Sequence, residues 1–395
     1  MTVPAASASE SAKTIDSPWL ISPRVDGFGI LGGVFASYAL LYAWMSDWIS
    51  TFNLVLLWVF VFHGPHFAAT LSRTLLDPTE YEMRGKILKR SWLWFLLGPI
   101  VVSLGMWVQE LTGYRDMVLL FFFFASVWAF HHVIKQHFGF VALYRARSKV
   151  FDRGDLLFTR RYLIFSLWAP VIILITNTMW GLSIIPGMGV LANHLGDERV
   201  LILEWGDKLQ TVLTWLFWAA QATYVGVQIG KLVRGKRVVL QELLLVLACV
   251  SLTWIIAMQV MAKAAAAGMD PNAASSVIPL EYAVLPLFIV YHNIQYHCLI
   301  WHYNRWKYHD TETPEKFGWA TVVNKNLFTY FAFGLLYTIF SIGMESYGIL
   351  PERGGFAGEV TAALIWGFSF QHYYLDGHIW HVGLDPNLRR VLRMG

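Results

Sequence analysis

The chain has very few cysteines and unusually few charged residues. Only two of its 395 residues are cysteines, Cys249 and Cys298, and both lie inside apolar runs. Two cysteines at this separation exclude a disulfide scaffold, a CxxC redox pair and an iron–sulfur cluster bound by four thiolates. Charged residues make up 14% of the chain, against roughly a quarter in soluble domains. The composition excludes an ordinary soluble enzyme, and any electrons that the protein uses must come from elsewhere.

Apolar residues are correspondingly abundant. They make up 56% of the chain, which includes 19 Trp, 17 Tyr and 27 Phe. Apolar runs of about 20 residues, the length that crosses a bilayer core, recur throughout. We predict an all-α, polytopic transmembrane helical bundle of about ten spans. The predicted spans are 27–46, 51–72, 91–109, 116–143, 162–180, 209–230, 239–262, 277–303, 326–346 and 357–381.

These spans divide the chain into three regions. We expect a polar N-terminal tail over residues 1–25, an integral membrane domain over 26–382 and a basic C-terminal tail over 383–395. The first 17 residues lack the basic-then-apolar order of a signal peptide and are expected to be disordered. The connection between the fifth and sixth spans, which contains GLSIIPGMGVLANHL, is a candidate for a short interfacial helix.

Basic residues alternate between the loops in a way that predicts orientation. Of the 30 Lys and Arg residues, 24 fall on one side of the predicted membrane and Lys135 lies within a span. The five on the other side are Arg115, Arg199, Lys208, Lys263 and Arg353. The positive-inside rule then places both termini in the cytoplasm, and we expect a bacterial inner membrane. The net charge of +4 is explained by these loops and indicates no nucleic-acid partner.

Eleven of the 13 histidines lie in four of the predicted spans, the second, fourth, eighth and tenth. All four spans run towards the cytoplasm, and each carries its histidines in its cytoplasmic half, whereas His194 lies on the outer side. Ionisable side chains in a bilayer are costly, so four placements at one depth need a common cause. Metal ligation by imidazoles that converge from several helices is the cause we favour. The alternative is polar contact between helices.

Spacing selects the candidate ligands within these spans. His63 and His66 share a helix face, with Gly64 and Pro65 between them, and Pro65 is expected to loosen that turn. Asp376 lies one turn after His372 and is either a ligand or a carboxylate that orients a ligating histidine. Tyr296 belongs to an aromatic-rich stretch that also suits an interfacial belt. The candidate ligands are His63, His66, His131, His132, His292, His297, His372, Asp376, His378 and His381.

A site rich in histidine and free of thiolate suits iron, copper or zinc rather than magnesium or calcium. The candidates exceed the four ligands of one zinc ion, which favours two metal ions or one ion with many supporting groups. HExxH is missing, which argues against a zinc protease with that motif. Beyond the ligands, the sequence assigns no catalytic residue.

The arrangement resembles that of the integral-membrane non-haem iron enzymes, the fatty-acid desaturases, alkane hydroxylases and sterol hydroxylases. Their histidine boxes are usually HxxxH and HxxHH, whereas this chain has HxxH at His63–His66 and HxxxxH at His292–His297. The resemblance therefore covers the layout of four helices and not the motifs. The chain is also similar, more loosely, to bacterial membrane β-carotene-cleaving oxygenases of the Brp/Blh type.

Both resemblances imply that iron, two ions in the first family, activates O₂ to hydroxylate, desaturate or cleave a lipophilic substrate. For hydroxylation or desaturation, the first implies a separate ferredoxin-like or cytochrome-like electron donor on the cytoplasmic side. The alternative from another class is a haem- or pigment-binding membrane subunit with these histidines as axial ligands. Zinc, with hydrolytic chemistry, is a further alternative.

Overall fold

The computed structural model describes residues 18–113, 116–176, 198–266, 281–309, 314–349, 356–383, 385–392 and 394. The tail over residues 1–17 and the candidate interfacial helix with His194 lie outside the described residues. Within the described ranges the regular structure is helical and contains no strand, which confirms the predicted all-α class.

The described ranges contain ten long helices, two short α-helices and one 3₁₀ helix over Pro314–Phe317. The long helices are α1 (Pro23–Met45), α2 (Thr51–Thr74), α3 (Pro78–Thr112), α4 (Asp116–Arg147), α5 (Arg153–Thr176), α6 (Glu198–Val233), α7 (Leu240–Ala266), α8 (Glu281–His309), α10 (Leu327–Ile349) and α11 (Phe356–Ile379). The short helices are α9 (Trp319–Val323) and α12 (Pro386–Val391). Six helices, α1, α2, α3, α5, α7 and α8, are long and apolar enough to cross a membrane. This indicates a membrane protein, while the count of ten spans stays a prediction.

Local chemistry defines where several helices begin and end. Asp77 caps α3 by accepting a hydrogen bond from the Thr79 amide at 2.9 Å, and Pro78 occupies the first helical position. Gly113 ends the same helix with a φ of 78°, a left-handed conformation that favours glycine. Asp385 caps α12 in the same way as Asp77, through the Leu388 amide at 3.0 Å.

Glycine allows α3 and α11 to pack closely. A side chain at Gly98 would come within 2.6 Å of the Ala363 carbonyl oxygen, and one at Gly367 would overlap the Phe95 carbonyl oxygen. Small residues at such crossings let helix backbones approach in a membrane, where packing rather than the hydrophobic effect holds helices together. Three of the candidate ligands, His372, Asp376 and His378, follow on α11, so this contact helps to position them.

The HGPH segment of α2 packs against α10 by the same means. A side chain at Gly64 would overlap Thr338, and a side chain at Gly334 would come within 2.6 Å of Pro65. A π-helical stretch, Trp58–His63, directly precedes this contact. Proline cannot donate a backbone hydrogen bond, so a widened turn next to Pro65 is consistent with the expectation from the sequence.

Buried ion pairs join helices at the end of the bundle that carries the basic loops. Arg145 of α4 donates to Glu242 of α7 at 2.7 and 2.5 Å and to Thr159 of α5 at 3.0 Å. A second network joins Lys307 of α8 to Asp77 and Glu80, each at 2.6 Å. Both networks are buried, so each charge depends on its partner.

Replacing Glu242 by alanine should destabilise the protein by about 2 kcal/mol, because Arg145 loses its bidentate partner and keeps only Asp155, at 2.9 Å, as an acidic partner. Thermal unfolding of the purified protein in detergent measures this effect. The matched control is Asp47→Asn, because Asp47 pairs with Lys263 but is 84% exposed, and an exposed pair contributes less than about 1 kcal/mol. Equal shifts in the two variants would contradict the prediction.

Candidate metal centre

Three helices bring four potential ligands together inside the bundle. His66 lies on α2, His132 on α4, and His372 and Asp376 lie one turn apart on α11. One nitrogen or oxygen atom from each lies within 4.8 Å of the corresponding atom of every other. All four side chains are buried. The structure therefore contains a buried group of three histidines and one aspartate that has the composition of a metal site.

The distances within the group identify the converging atoms. The Nε2 atoms of His66 and His372 are 2.9 Å apart. Two ligands at about 2.1 Å from one ion are about 3.0 Å apart at a right angle. Asp376 Oδ2 lies 3.5 Å from His372 Nε2 and 3.9 Å from His132 Nε2. Three imidazole Nε2 atoms and one carboxylate oxygen thus face a common point.

Two hydroxyl groups contact the remaining polar atoms of His372 and Asp376. Thr70 Oγ1 lies 2.8 Å from His372 Nδ1, and Tyr296 donates to Asp376 Oδ1 at 3.0 Å. Thr70 also contacts the Tyr296 hydroxyl and lies 3.4 Å from Asp376 Oδ1. These bonds leave His372 Nε2 and Asp376 Oδ2 directed at the common point. Such supporting partners fix the tautomer and orientation of metal ligands.

Polar contact between helices does not account for every atom of the group. His132 Nε2 and His66 Nδ1 are buried and have no hydrogen-bond partner among the described residues. A buried polar atom without a partner costs about 1–3 kcal/mol. A metal ion at the common point would be the partner of His132 Nε2. Three imidazoles and one carboxylate suit iron and zinc.

Two further candidate ligands lie beside the group. The His292 ring centroid is 4.8 Å from that of His66 and 5.2 Å from that of His132. His63 packs against Trp58 and Phe67, with ring centroids 4.3 and 4.6 Å away. The Nδ1 atoms of both histidines are buried without a hydrogen-bond partner among the described residues. They border the four ligands and do not belong to the group.

The remaining candidates are engaged elsewhere or lie further out. His297 uses both ring nitrogens, Nδ1 with the Tyr330 hydroxyl at 2.7 Å and Nε2 with the Phe62 carbonyl at 3.2 Å. His378 Nδ1 bonds the Tyr374 carbonyl of its own helix at 2.7 Å. His131 is half-buried and His381 is exposed. The structure brings four of the ten candidates together.

Thr70 and Tyr296 are the supporting residues that the sequence did not reveal. Tyr296 fits an interfacial aromatic belt by sequence but is 1% exposed in the structure. Thr70 follows His66 by four residues and therefore lies on the same face of α2. That spacing is the only signal that the sequence offered for Thr70.

A cavity of about 320 Å³ reaches the group from one side. His132, Asp376 and Tyr296 line its inner end, and most of its other lining side chains are apolar or aromatic. The volume lies at the lower end of the range for small-molecule sites, and such sites commonly combine apolar walls with a few polar groups.

Comparisons of the chain with protein-family models, with curated proteins and with solved structures find no match. The resemblance to membrane iron enzymes therefore stays an expectation from the sequence.

Replacing His66, His132, His372 or Asp376 by alanine should each lower metal affinity by more than the roughly tenfold that loss of a supporting partner costs. The measurement is metal per chain after equilibration with a chelator. The control is His378→Ala, because His378 bonds its own helix. Equal metal loss in the control and the four variants would argue against the site.

Removing the two hydroxyls should weaken the site without removing a ligand. Thr70→Val and Tyr296→Phe free His372 Nδ1 and Asp376 Oδ1, and we expect metal affinity to fall about 10–100-fold. Tyr330→Phe is the matched control, since Tyr330 is also buried but bonds His297. Competition with a metal-binding dye measures the three affinities. Wild-type affinity in Thr70→Val and Tyr296→Phe would show that the hydroxyls do not support the ligands.

Proposed function

We propose that the protein is a membrane-embedded non-haem iron oxidoreductase that uses O₂ to oxidise a lipophilic substrate. The observation that carries this proposal is the buried group of three histidines and one aspartate at the inner end of a mainly apolar cavity. A site inside a helical membrane bundle favours a substrate that partitions into the bilayer. We further propose ten spans, cytoplasmic termini and a bacterial inner membrane, from the distribution of basic residues.

The ligand set supports iron. Histidines with one carboxylate and open positions are the pattern of non-haem Fe(II) oxygenases, and here there are three histidines. A bound iron ion would supply the activation of O₂. The close spacing of the ligand atoms, all within 4.8 Å, supports a bare ion, because a haem would have to lie between its axial ligands. We propose one ion in this group, and a second would need His63 and His292 beside it.

The residues around the group support specific roles. The Thr70 and Tyr296 hydroxyls orient His372 and Asp376. Tyr296 also lines the cavity, and its hydroxyl donates to Asp376 Oδ1. Tyr296 is thus placed to pass a proton between a reacting group in the cavity and the carboxylate. Burial of the group keeps bulk water away from the reaction.

The composition of the chain determines whether a partner protein must supply electrons. Hydroxylation puts one oxygen atom into a C–H bond and releases the other as water, with two electrons and two protons taken up. Desaturation takes up the same number and releases two waters, whereas cleavage of a double bond by a dioxygenase needs none. With two cysteines and no thiolate cluster, the electrons for the first two reactions come from a separate ferredoxin-like or cytochrome-like protein. Basic loops suit its docking.

Protein purified in detergent without added metal should contain about one iron per chain and show no Soret band, because the group offers four ligands to one ion. Metal analysis and an absorption spectrum measure both quantities. Chelation should abolish O₂ consumption with reductant and membrane lipid extract, and Fe(II) should restore it.

Other outcomes have defined meanings. Two irons per chain would add a second ion beside His63 and His292. Zinc as the sole metal would contradict an oxidase and favour hydrolytic chemistry. A Soret or chlorophyll band would assign the histidines to a tetrapyrrole and overturn the proposal.

A further inference from the structure

The cavity at the metal centre is bounded by one face of α4 and one face of α11. On α4, His132, Lys135 and Gly139 follow each other at intervals of three and four residues. On the α11 side, Trp380 lies just beyond the helix end and follows Asp376 by four residues and Gly377 by three. This spacing places each set on a single helix face. The cavity is therefore a cleft between two helices.

The inner and outer ends of the cleft differ in character. His132, Tyr296 and Asp376 form the inner end, and all three are buried. At the outer end, Lys135, Gly377 and His381 are exposed. The cleft thus runs from the ligand group to the surface of the protein.

Two glycines keep the cleft open. A Cβ atom placed on Gly139 or Gly377 meets no other atom within 4 Å. Both residues line the cavity, so a larger side chain at either position has room to extend beside or into it. These glycines differ from Gly98 and Gly367, where a Cβ would meet the backbone of a neighbouring helix.

Lys135 supplies an uncompensated positive charge at the outer end. Among the described residues, no hydrogen bond or ion pair engages its side chain. An unpaired ammonium group beside apolar walls and lipid is costly, so a negative partner would offset the cost. His381 lies on the opposite side of the cleft and offers an imidazole donor.

Building on the function proposed above, we propose that the cleft binds a single-chain amphiphile with an anionic headgroup, which enters from the bilayer between α4 and α11. Lys135 and His381 bind the headgroup. The alkyl chain lies along Phe138, Phe140 and Leu299 and passes Gly139 and Gly377 towards the ligand group. A carboxylate and a phosphate headgroup share the chemistry that Lys135 recognises.

Binding of radiolabelled palmitate to the purified protein tests the headgroup. Hexadecyl lysophosphatidate and hexadecanol serve as competitors. The charged amphiphiles should bind at least about tenfold more tightly than hexadecanol, since a hydrogen bond to a charged group is worth about that factor or more. The tighter of the two identifies carboxylate or phosphate. Lys135→Gln should remove the preference and Lys135→Arg should keep it. Equal binding of hexadecanol and both anions, or wild-type preference in Lys135→Gln, would overturn the assignment.

Leucine substitution tests the path of the chain. Gly139→Leu and Gly377→Leu should each lower palmitate binding about tenfold or more, because the side chain fills the cleft. Gly226→Leu is the matched control, because Gly226 of α6 is also a helix position with no atom within 4 Å of a Cβ. Unchanged binding in both cleft variants would overturn the proposed path.

Metal content separates this proposal from the function on which it rests. All three leucine variants should retain wild-type iron, because the substitutions leave the ligands unchanged. Charge-selective palmitate binding by a protein that holds no iron would contradict the proposed oxidoreductase function but support the lipid site. Full iron content with no preference for anionic amphiphiles would contradict the lipid site and leave the proposed function standing.

Discussion

Polar atoms inside a membrane bundle must be satisfied by other parts of the protein, because the hydrocarbon core offers no water. In this structure the requirement converges on Thr70. Its hydroxyl contacts His372 Nδ1, the Tyr296 hydroxyl and Asp376 Oδ1, so one small side chain connects α2, α8 and α11. The orientation of two ligands depends on these contacts. The group and its supporting residues are therefore a property of how α2, α4, α8 and α11 meet, and no single histidine motif contains them.

Helix packing then determines whether those contacts can form. Gly64 brings α2 against α10, and Gly98 and Gly367 bring α3 against α11. One turn beyond Thr70, Arg73 donates to the Ile379 carbonyl at 3.0 Å and lies between the Tyr303 and Trp380 rings. This buried guanidinium links the ends of α2 and α11. The two helices that carry three of the four ligands are thus joined both at the centre and beyond it.

The sequence predicted the helical class, and its candidate ligands include the four residues of the buried group, but it predicted less about which side of each helix faces that group. Hydropathy locates a span along the chain, but which side of a helix faces its neighbours depends on packing. His66 and His297 look equivalent as sequence, yet the first faces the group and the second bonds Tyr330. The spacing of His372 and Asp376 was informative because both lie on one helix. The partners of Thr70 come from other helices, so local spacing gave no indication of them.

The order of the ligands along the chain has a consequence for biogenesis. His372 follows His132 by 240 residues, which the ribosome adds in about 12–48 s at roughly 5–20 residues per second. Until α11 has been synthesised, the growing chain presents His66 and His132 without His372 and Asp376. Two imidazoles form a weak and unselective site. All four residues of the group are therefore present together only after α11 has been synthesised, so a metal ion could be held by the full set only at the end of assembly.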